Sequence, residues 1–172
     1  MLSPFSSKTG RNQPSNAKFI FGPAKWVRFL IKPEAGMALA YVDYSQQEFG
    51  IAAALSVDKA MQEAYQSGDP YITFAKQSGA VPDDATPETH PKERNQIKTC
   101  ALGTLYGLGP EGMAQKLGQP VETGRQLLRH HRNCYQGYWK WNHDTVAAAI
   151  LTQEMQTVMG WKMKVPARIS AS

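Results

Sequence analysis

Proline and glycine divide the chain between residues 46 and 155 into pieces of helical length, and this punctuation constrains the fold more than any other feature. Residues 46–55 (Q-Q-E-F-G-I-A-A-A-L) read as a helix with Glu48 in its first turn, where the helix dipole favours an anion. Residues 56–67 give a second helix, stopped by Gly68-Asp69-Pro70, and residues 71–79 a third. A Pro- and Asp-rich connector over 80–89 leads to His90-Pro91, which opens a long helix. Shorter helices over 113–117 and 121–133, then a long one over 135–155, complete the series. In the last, Tyr138, Trp139, Trp141, Val146, Ile150 and Met155 read as a core stripe. Arg125, Arg129, His130, His131 and Arg132 lie along the helix before it. The two histidines are adjacent and diverge by about 100° on a helix, which is poor for one metal, so both are assigned to the surface.

Strand signals are fewer. Residues 26–32 (W-V-R-F-L-I-K) and 37–44 (M-A-L-A-Y-V-D-Y) flank the turn Pro33-Glu34-Ala35-Gly36 and predict an antiparallel hairpin. Residues 157–159 and 161–165 about Gly160 predict a second, smaller one. The fold class is α+β, mostly helical. Residues 1–25, rich in Ser, Pro, Asn and Gly, read as an extended arm. Its Lys8, Arg11, Lys18 and Lys25, set among hydroxyl and amide side chains, suit either contacts to phosphate and sugar or a solvated surface.

The long helix carries the strongest chemical pattern. Arg94, Lys98, Leu102 and Tyr106 recur at four-residue steps, which places them near one another on the helix surface with a slow drift along it. An Arg and a Lys one turn apart can grip a polyphosphate, the first with a planar fork and the second with a mobile point charge. An aromatic further along can stack on a base. The plain alternative is a solvated helix face. Upstream, Asp43 closes an apolar strand beside a helix start, a common place for a hard cation such as Mg²⁺; Asp43 or Ser45 could instead cap the next helix.

Composition narrows the choices. Apolar residues make up 42% of the 172, enough for a core, and the net charge of +5 permits a polyanionic partner without demanding one. Cys100 and Cys134 have no metal-ligand spacing and read as reduced thiols. No apolar run approaches a membrane span, and the N-terminus lacks the apolar core of a signal peptide. Gly107-Leu108-Gly109-Pro110-Glu111-Gly112 matches G-x-G-x-x-G, but that motif needs a preceding strand and here follows a helical pattern. Pro110 better opens a new helix.

Asp43-Tyr44-Ser45-Gln46-Gln47-Glu48 resembles the D-Y-S-Q-x-E signature of family A (polymerase I-like) DNA polymerases. Arg94-x3-Lys98-x7-Tyr106-Gly107 resembles that family's fingers helix, Thr9-Gly10-Arg11 its T-G-R motif, and residues 157–162 the hairpin that follows the fingers. The order and separations agree over roughly residues 9–166, and the resemblance is to phage- or prophage-like members in particular. It implies template-directed transfer of nucleotides from dNTPs to a primer 3′-OH, with two Mg²⁺ ions in the intact enzyme. Asp43 matches the catalytic, metal-binding aspartate, and the backbone carbonyl of Tyr44 a further ligand. Tyr44, Ser45, Gln46, Glu48, Arg94, Lys98, Leu102 and Tyr106 match the nucleotide site. Within it, Arg94 and Lys98 meet the triphosphate, and Tyr106 sits beside the templating base. Glu48 matches the family's steric gate against a ribose 2′-hydroxyl, which hydrogen-bonds that tyrosine. Thr9, Arg11, Tyr106 and Gly107 match DNA contacts.

Three positions depart from the family pattern. Leu102 replaces an aromatic, Gly50 an Arg, and Tyr71 a triphosphate-contacting His. The second catalytic carboxylate, expected in an H-D-E motif further on, is not in the sequence, so the chain is expected to be a fragment that is inactive alone. The implied organisation is an arm over 1–25 and a partial palm over 26–67. Fingers follow over 68–134, and residues 135–172 form a long helix and hairpin returning toward the palm. The implied partners are primer–template DNA and dNTP, with no membrane, for a monomer in a bacterial or phage-infected cytoplasm. The alternatives are a non-catalytic nucleic-acid-binding module, a dinucleotide-binding oxidoreductase, and a single-subunit RNA polymerase. Glu48 with Tyr106 argues against the last, and a helix through residues 98–106 would remove the second.

Overall fold

The computed structural model describes residues 2–3, 13–14, 25–40 and 42–165. Leu2–Ser3 (β1) pairs antiparallel with Gln13–Pro14 (β2), Leu2 opposite Pro14. A 3₁₀ helix spans Lys25–Leu30. The α-helices are α1 Gln47–Ser56, α2 Lys59–Gln66, α3 Pro70–Gln77, α4 Pro91–Leu105, α5 Pro110–Leu117, α6 Val121–Cys134 and α7 Gln136–Thr152. Glu154–Gln156 (β3) and Lys162–Lys164 (β4) form a second two-stranded sheet. The chain groups into two units, one of Met1–Asp43 with Gln156–Lys164, the other of Tyr44–Met155 with Val165–Ser172. Among the described residues no helix is long and apolar enough to cross a membrane.

Each predicted helix is present with its ends moved by a few residues, and α5 starts at Pro110 as proline at N1 dictates. The hairpin predicted over 26–32 and 37–44 does not form. Residues 25–30 coil, and no strand occurs among residues 31–40 and 42–44. Only its turn survives: Met37 N donates to Glu34 O at 3.0 Å, with Gly36 at φ +82°. Trp26, Phe29, Leu30, Met37, Leu39 and Val42 are all more than 60% exposed, and an isolated two-stranded ribbon whose apolar side chains cover nothing is marginal. The second hairpin forms, but its first strand begins three residues earlier than predicted. The turn therefore falls at 157–160, with Gly160 N donating to Thr157 O.

The core of the second unit is aromatic. Phe49 of α1 lies edge-on to Tyr71 of α3 and to Tyr135 at the start of α7, at 6.3 and 5.8 Å between centroids. Such edge-to-face pairs add to the burial of the rings themselves. Of the stripe predicted along α7, only Tyr138 is fully buried; Trp139 and Trp141 pack partly, and Val146, Ile150 and Met155 stay 37–49% exposed. Periodicity marks an apolar face but not the extent of what covers it.

Asp58 joins two helices. Its Oδ1 accepts from Met61 N at 2.9 Å, capping α2, and its Oδ2 accepts from Tyr138 N at 3.0 Å in the first turn of α7. Gly137 permits the approach, since a Cβ there would come within 2.9 Å of Oδ2. Gly124 does the same between α5 and α6: a Cβ would meet the Pro110 carbonyl oxygen at 2.4 Å.

His131 is not on the surface. It is fully buried, ringed by Phe74, Tyr135, Tyr138 and Trp139, while His130 is exposed as expected. Its Nδ1 accepts from Trp139 Nε1 at 3.0 Å, so the proton of the neutral ring sits on Nε2, which finds no partner among the described residues. Burial lowers its pKa to about 4, against a smaller opposing pull from Asp58. A histidine kept neutral by the fold contributes stability that is intact above the unfolded value near 6.5. That stability is lost as pH falls towards 4, because the unfolded chain takes up the proton first. Stability should fall by about 2 kcal/mol between pH 7 and pH 5 on this account. A proton NMR titration of the His131 ring should show a midpoint near 4; one near 6.5 would refute the assignment.

Candidate functional site

Helix α4 starts at Pro91 and buries Ile97, Cys100, Ala101 and Thr104 on one side. Arg94, Lys98 and Leu102 run along the edge of that face, Lys98 exposed and Arg94 and Leu102 half-buried. Each four-residue step turns about 40° further round the axis. The stripe therefore winds, and its two ends meet different helices: the cations face α3, and Tyr106 reaches α1. Tyr106 is the C-cap of α4, and Gly107 follows at φ +75°, a left-handed conformation that favours glycine and stops the helix.

At the first end, Arg94 Nε donates to Asp69 Oδ2 at 2.5 Å. The other oxygen of Asp69 accepts from the amides of Tyr71 and Ile72 at 3.1 and 3.2 Å and so caps α3. One carboxylate thus starts a helix and anchors the arginine of another through Nε, the nitrogen that is not part of the terminal fork. The Arg94 guanidinium carbon and Lys98 Nζ lie 5.6 and 5.8 Å from the centroid of the Tyr71 ring. Cations at this range are attracted by the ring face. The Tyr71 hydroxyl is held above its usual pKa by burial first, then by the charges of Glu48 and Asp69, with Arg94 opposing. It remains an O–H donor in a position where the family pattern has a histidine.

At the second end, the Tyr106 hydroxyl donates to Glu48 Oε1 at 3.1 Å across 58 residues of sequence. The expected glutamate–tyrosine pair is therefore formed, between the first turn of α1 and the end of α4. Leu102, between the two ends, offers only an aliphatic surface.

The turn before α1 is tied down from α2. Tyr65 Oη donates to the Ser45 carbonyl at 3.2 Å, and its ring lies where a Cβ on Gly50 would approach to 2.8 Å. An arginine at position 50 would displace this ring, so Gly50 and Tyr65 belong together. Neither Asp43 nor Ser45 caps α1. The N-cap is Gln46, in the left-handed region at φ 45°, and Ser45 Oγ donates instead to Gln46 Oε1 at 2.5 Å. Asp43 and Tyr44 are both exposed, and residues 31–40 and 42 before them form no strand. Thr9 and Arg11 lie outside the described residues.

A carboxylate at Asp43 and a carbonyl at Tyr44 are hard oxygen donors of the kind Mg²⁺ takes. Among the described residues no group of three or more His, Cys, Asp or Glu side chains gathers as a metal site. Asp69 and Tyr65 were missed by sequence reasoning. Asp-Pro before an apolar segment is an N-cap signal that could have flagged Asp69; nothing in the sequence marks Tyr65.

The model of DNA polymerase family A matches residues 22–171. The DNA polymerase of Mycobacterium phage D29 is 29% identical over 144 residues, covering 82% of this chain and 23% of that protein. The thermostable DNA polymerase I of Thermus thermophilus is 28% identical over 141 residues, 81% of this chain and 16% of that one. DNA polymerase I of Mycobacterium leprae is 30% identical over 130 residues, 74% of this chain and 14% of that one. The chain thus spans less than a quarter of the length of these relatives. Among solved structures, the POL domain of Pol1 from M. smegmatis, in complex with DNA primer-template and dNTP, matches with a TM-score of 0.75 and 27% identity. That match covers 99% of this chain and 31% of the other. With helix in place of the strand that a dinucleotide fold would need before Gly107, and a family match running from residue 22 to residue 171, the chain belongs to DNA polymerase family A.

Proposed function

We propose that this chain contributes the incoming-nucleotide site of a template-directed DNA polymerase that adds dNTPs to a primer 3′-OH. The observation that carries the reading is the winding of α4, which sets Arg94 and Lys98 over Tyr71 at one end and joins Tyr106 to Glu48 at the other. Arg94, pre-oriented by Asp69, would grip the triphosphate with its fork, Lys98 would add a mobile charge, and the Tyr71 hydroxyl would donate beside them. Tyr106 would sit beside the templating base, and Glu48 beneath the sugar, where a 2′-hydroxyl would collide. Thr9, Arg11 and Gly107 retain the DNA-contacting roles that the family resemblance implies, with Ser45 and Gln46 in the turn under the nucleotide. Asp43 and the Tyr44 carbonyl would hold Mg²⁺, which when bound stabilises the attacking and leaving oxygens of the displacement. One carboxylate is too few for a two-metal site, so the 172-residue chain by itself is read as inactive. The domain reading stays as a partial palm over 26–67, fingers over 68–134 and a return over 135–172, in a monomer.

The test is discrimination between sugars. In a polymerase containing this segment, Glu48→Ala should raise ribonucleotide incorporation relative to deoxyribonucleotide by about 10- to 100-fold, the effect of releasing a clash of about 1–3 kcal/mol. Single-nucleotide incorporation kinetics measure the ratio, and an unchanged ratio would remove Glu48 from the gate.

A further inference from the structure

Packing alone does not fix the Glu48–Tyr106 pair. Both residues are exposed, Tyr106 at 67%, and a pocket of about 270 Å³ opens beside them between side chains of α1, α4 and α7. A carboxylate with room beside it is placed by its backbone, and that backbone is the first turn of α1. The turn starts under strain. Gln46 is left-handed at φ 45° and ψ 41°, a conformation that is costly for a residue with a Cβ, and its side chain makes no cap. Such a backbone persists where its surroundings over-determine it. Tyr65 of α2 supplies that hold, before and after Gln46. Its hydroxyl donates to the Ser45 carbonyl at 3.2 Å, across 20 residues of sequence. Its ring lies against Gly50, whose amide closes the first turn of α1 onto the Gln46 carbonyl at 3.0 Å. The ring stands on a firm base. Met61 and Ala64 of α2 are fully buried, and Asp58 caps α2 while accepting from the start of α7. Tyr138 and Trp141 of α7 line the pocket beside Glu48. A chain of contacts therefore runs from α7 through α2 to the residues that seat the carboxylate.

We propose that Tyr65 is a positioning residue for sugar selection: its hold on the Ser45 carbonyl and on Gly50 keeps the turn at Gln46 left-handed and so sets where Glu48 stands. The inference rests on the reading of Glu48 as the gate. Tyr65 acts through the backbone from Ser45 to Gly50, not by touching the nucleotide. Without the hydroxyl, Gln46 can relax, and the first turn of α1 can carry Glu48 towards the pocket beside it. A neutral hydrogen bond has a modest net worth, so selectivity shifts while the reaction itself continues. Gly50 is part of the same device, because a side chain there and the ring of Tyr65 cannot share the space.

Tyr65→Phe tests this, since it keeps the ring against Gly50 and removes only the hydroxyl. In a polymerase containing this segment, it should raise ribonucleotide incorporation relative to deoxyribonucleotide by about three- to tenfold. The Glu48→Ala/Tyr65→Phe double variant should match Glu48→Ala alone, because Tyr65 works through that carboxylate. In the 172-residue chain, hydrogen exchange at the Gly50 amide, followed by NMR, should quicken by about three- to tenfold in Tyr65→Phe. A lower melting temperature with an unchanged sugar ratio would overturn the proposal and leave Tyr65 a packing residue. Additive effects in the double variant, or unchanged exchange at Gly50, would overturn it as well. If Glu48→Ala left the sugar ratio unchanged while Tyr65→Phe still quickened Gly50 exchange, the gate reading would fall and this inference with it. A ratio that responds to Glu48→Ala but not to Tyr65→Phe would sink this inference alone.

Discussion

Replacing Asp58 with alanine should lower the stability of the second unit by about 3–4 kcal/mol, the largest effect expected of any single side chain away from the proposed nucleotide site. The residue is 6% exposed, and both its oxygens accept from amides, one on each of two helices. Alanine leaves the amides of Met61 and Tyr138 without acceptors in a buried place, at about 1–3 kcal/mol for each unsatisfied group. Nothing else covers for the loss, since Tyr135, the N-cap residue of α7, makes no side-chain cap of its own. Urea unfolding should show the midpoint falling with little change in slope. Asparagine, which can cap one helix but accepts through a single oxygen, should fall between. A loss under about 1 kcal/mol for alanine would mean that the two helix starts find other acceptors.

Lys98→Ala should weaken the use of nucleotide by about 30- to 150-fold in a polymerase containing this segment, equivalent to about 2–3 kcal/mol for a charged hydrogen bond to phosphate. The loss should appear in the apparent affinity for dNTP, with the affinity for primer–template unchanged. Lys98 is exposed and makes no ion pair among the described residues, so the variant should fold normally. Asp69→Asn provides the matching test of position. Asparagine caps a helix about as well as aspartate, so α3 should survive. The charge that holds Arg94 by its Nε is gone, however, and the fork loses its fixed orientation. A rise in the KM for dNTP with little change in melting temperature would mark Asp69 as a positioning residue. A parallel fall in both would reduce it to a structural cap.

Much of the site could be read from the chain because its parts are local. Arg94, Lys98 and Tyr106 share one helix, and four-residue spacing fixes their relation before any packing is known. The helices themselves were legible because Pro70, Pro91 and Pro110 each stand at the first helical position. The predicted strands over 26–32 and 37–44 failed for the complementary reason. A β-rich composition expresses a preference for a half-covered surface, and pairing needs a partner that these residues do not meet. His131 failed because its neighbours in sequence, Arg129, His130 and Arg132, are all exposed, while Phe74, Tyr138 and Trp139 from other helices close over it.

The residue types and spacings of the D-Y-S-Q-x-E segment and of α4 were enough by themselves to point to DNA polymerase family A, because such a resemblance is carried by residue identity and order. Only the tertiary structure decided that Asp69 holds Arg94, that Tyr65 occupies the space above Gly50, and that three arginines of α6 share a cleft with Trp139. Those pairings join side chains between 7 and 25 residues apart. At such separations, the packing of one helix on another fixes which groups meet, and that depends on every residue in the contact rather than on any motif.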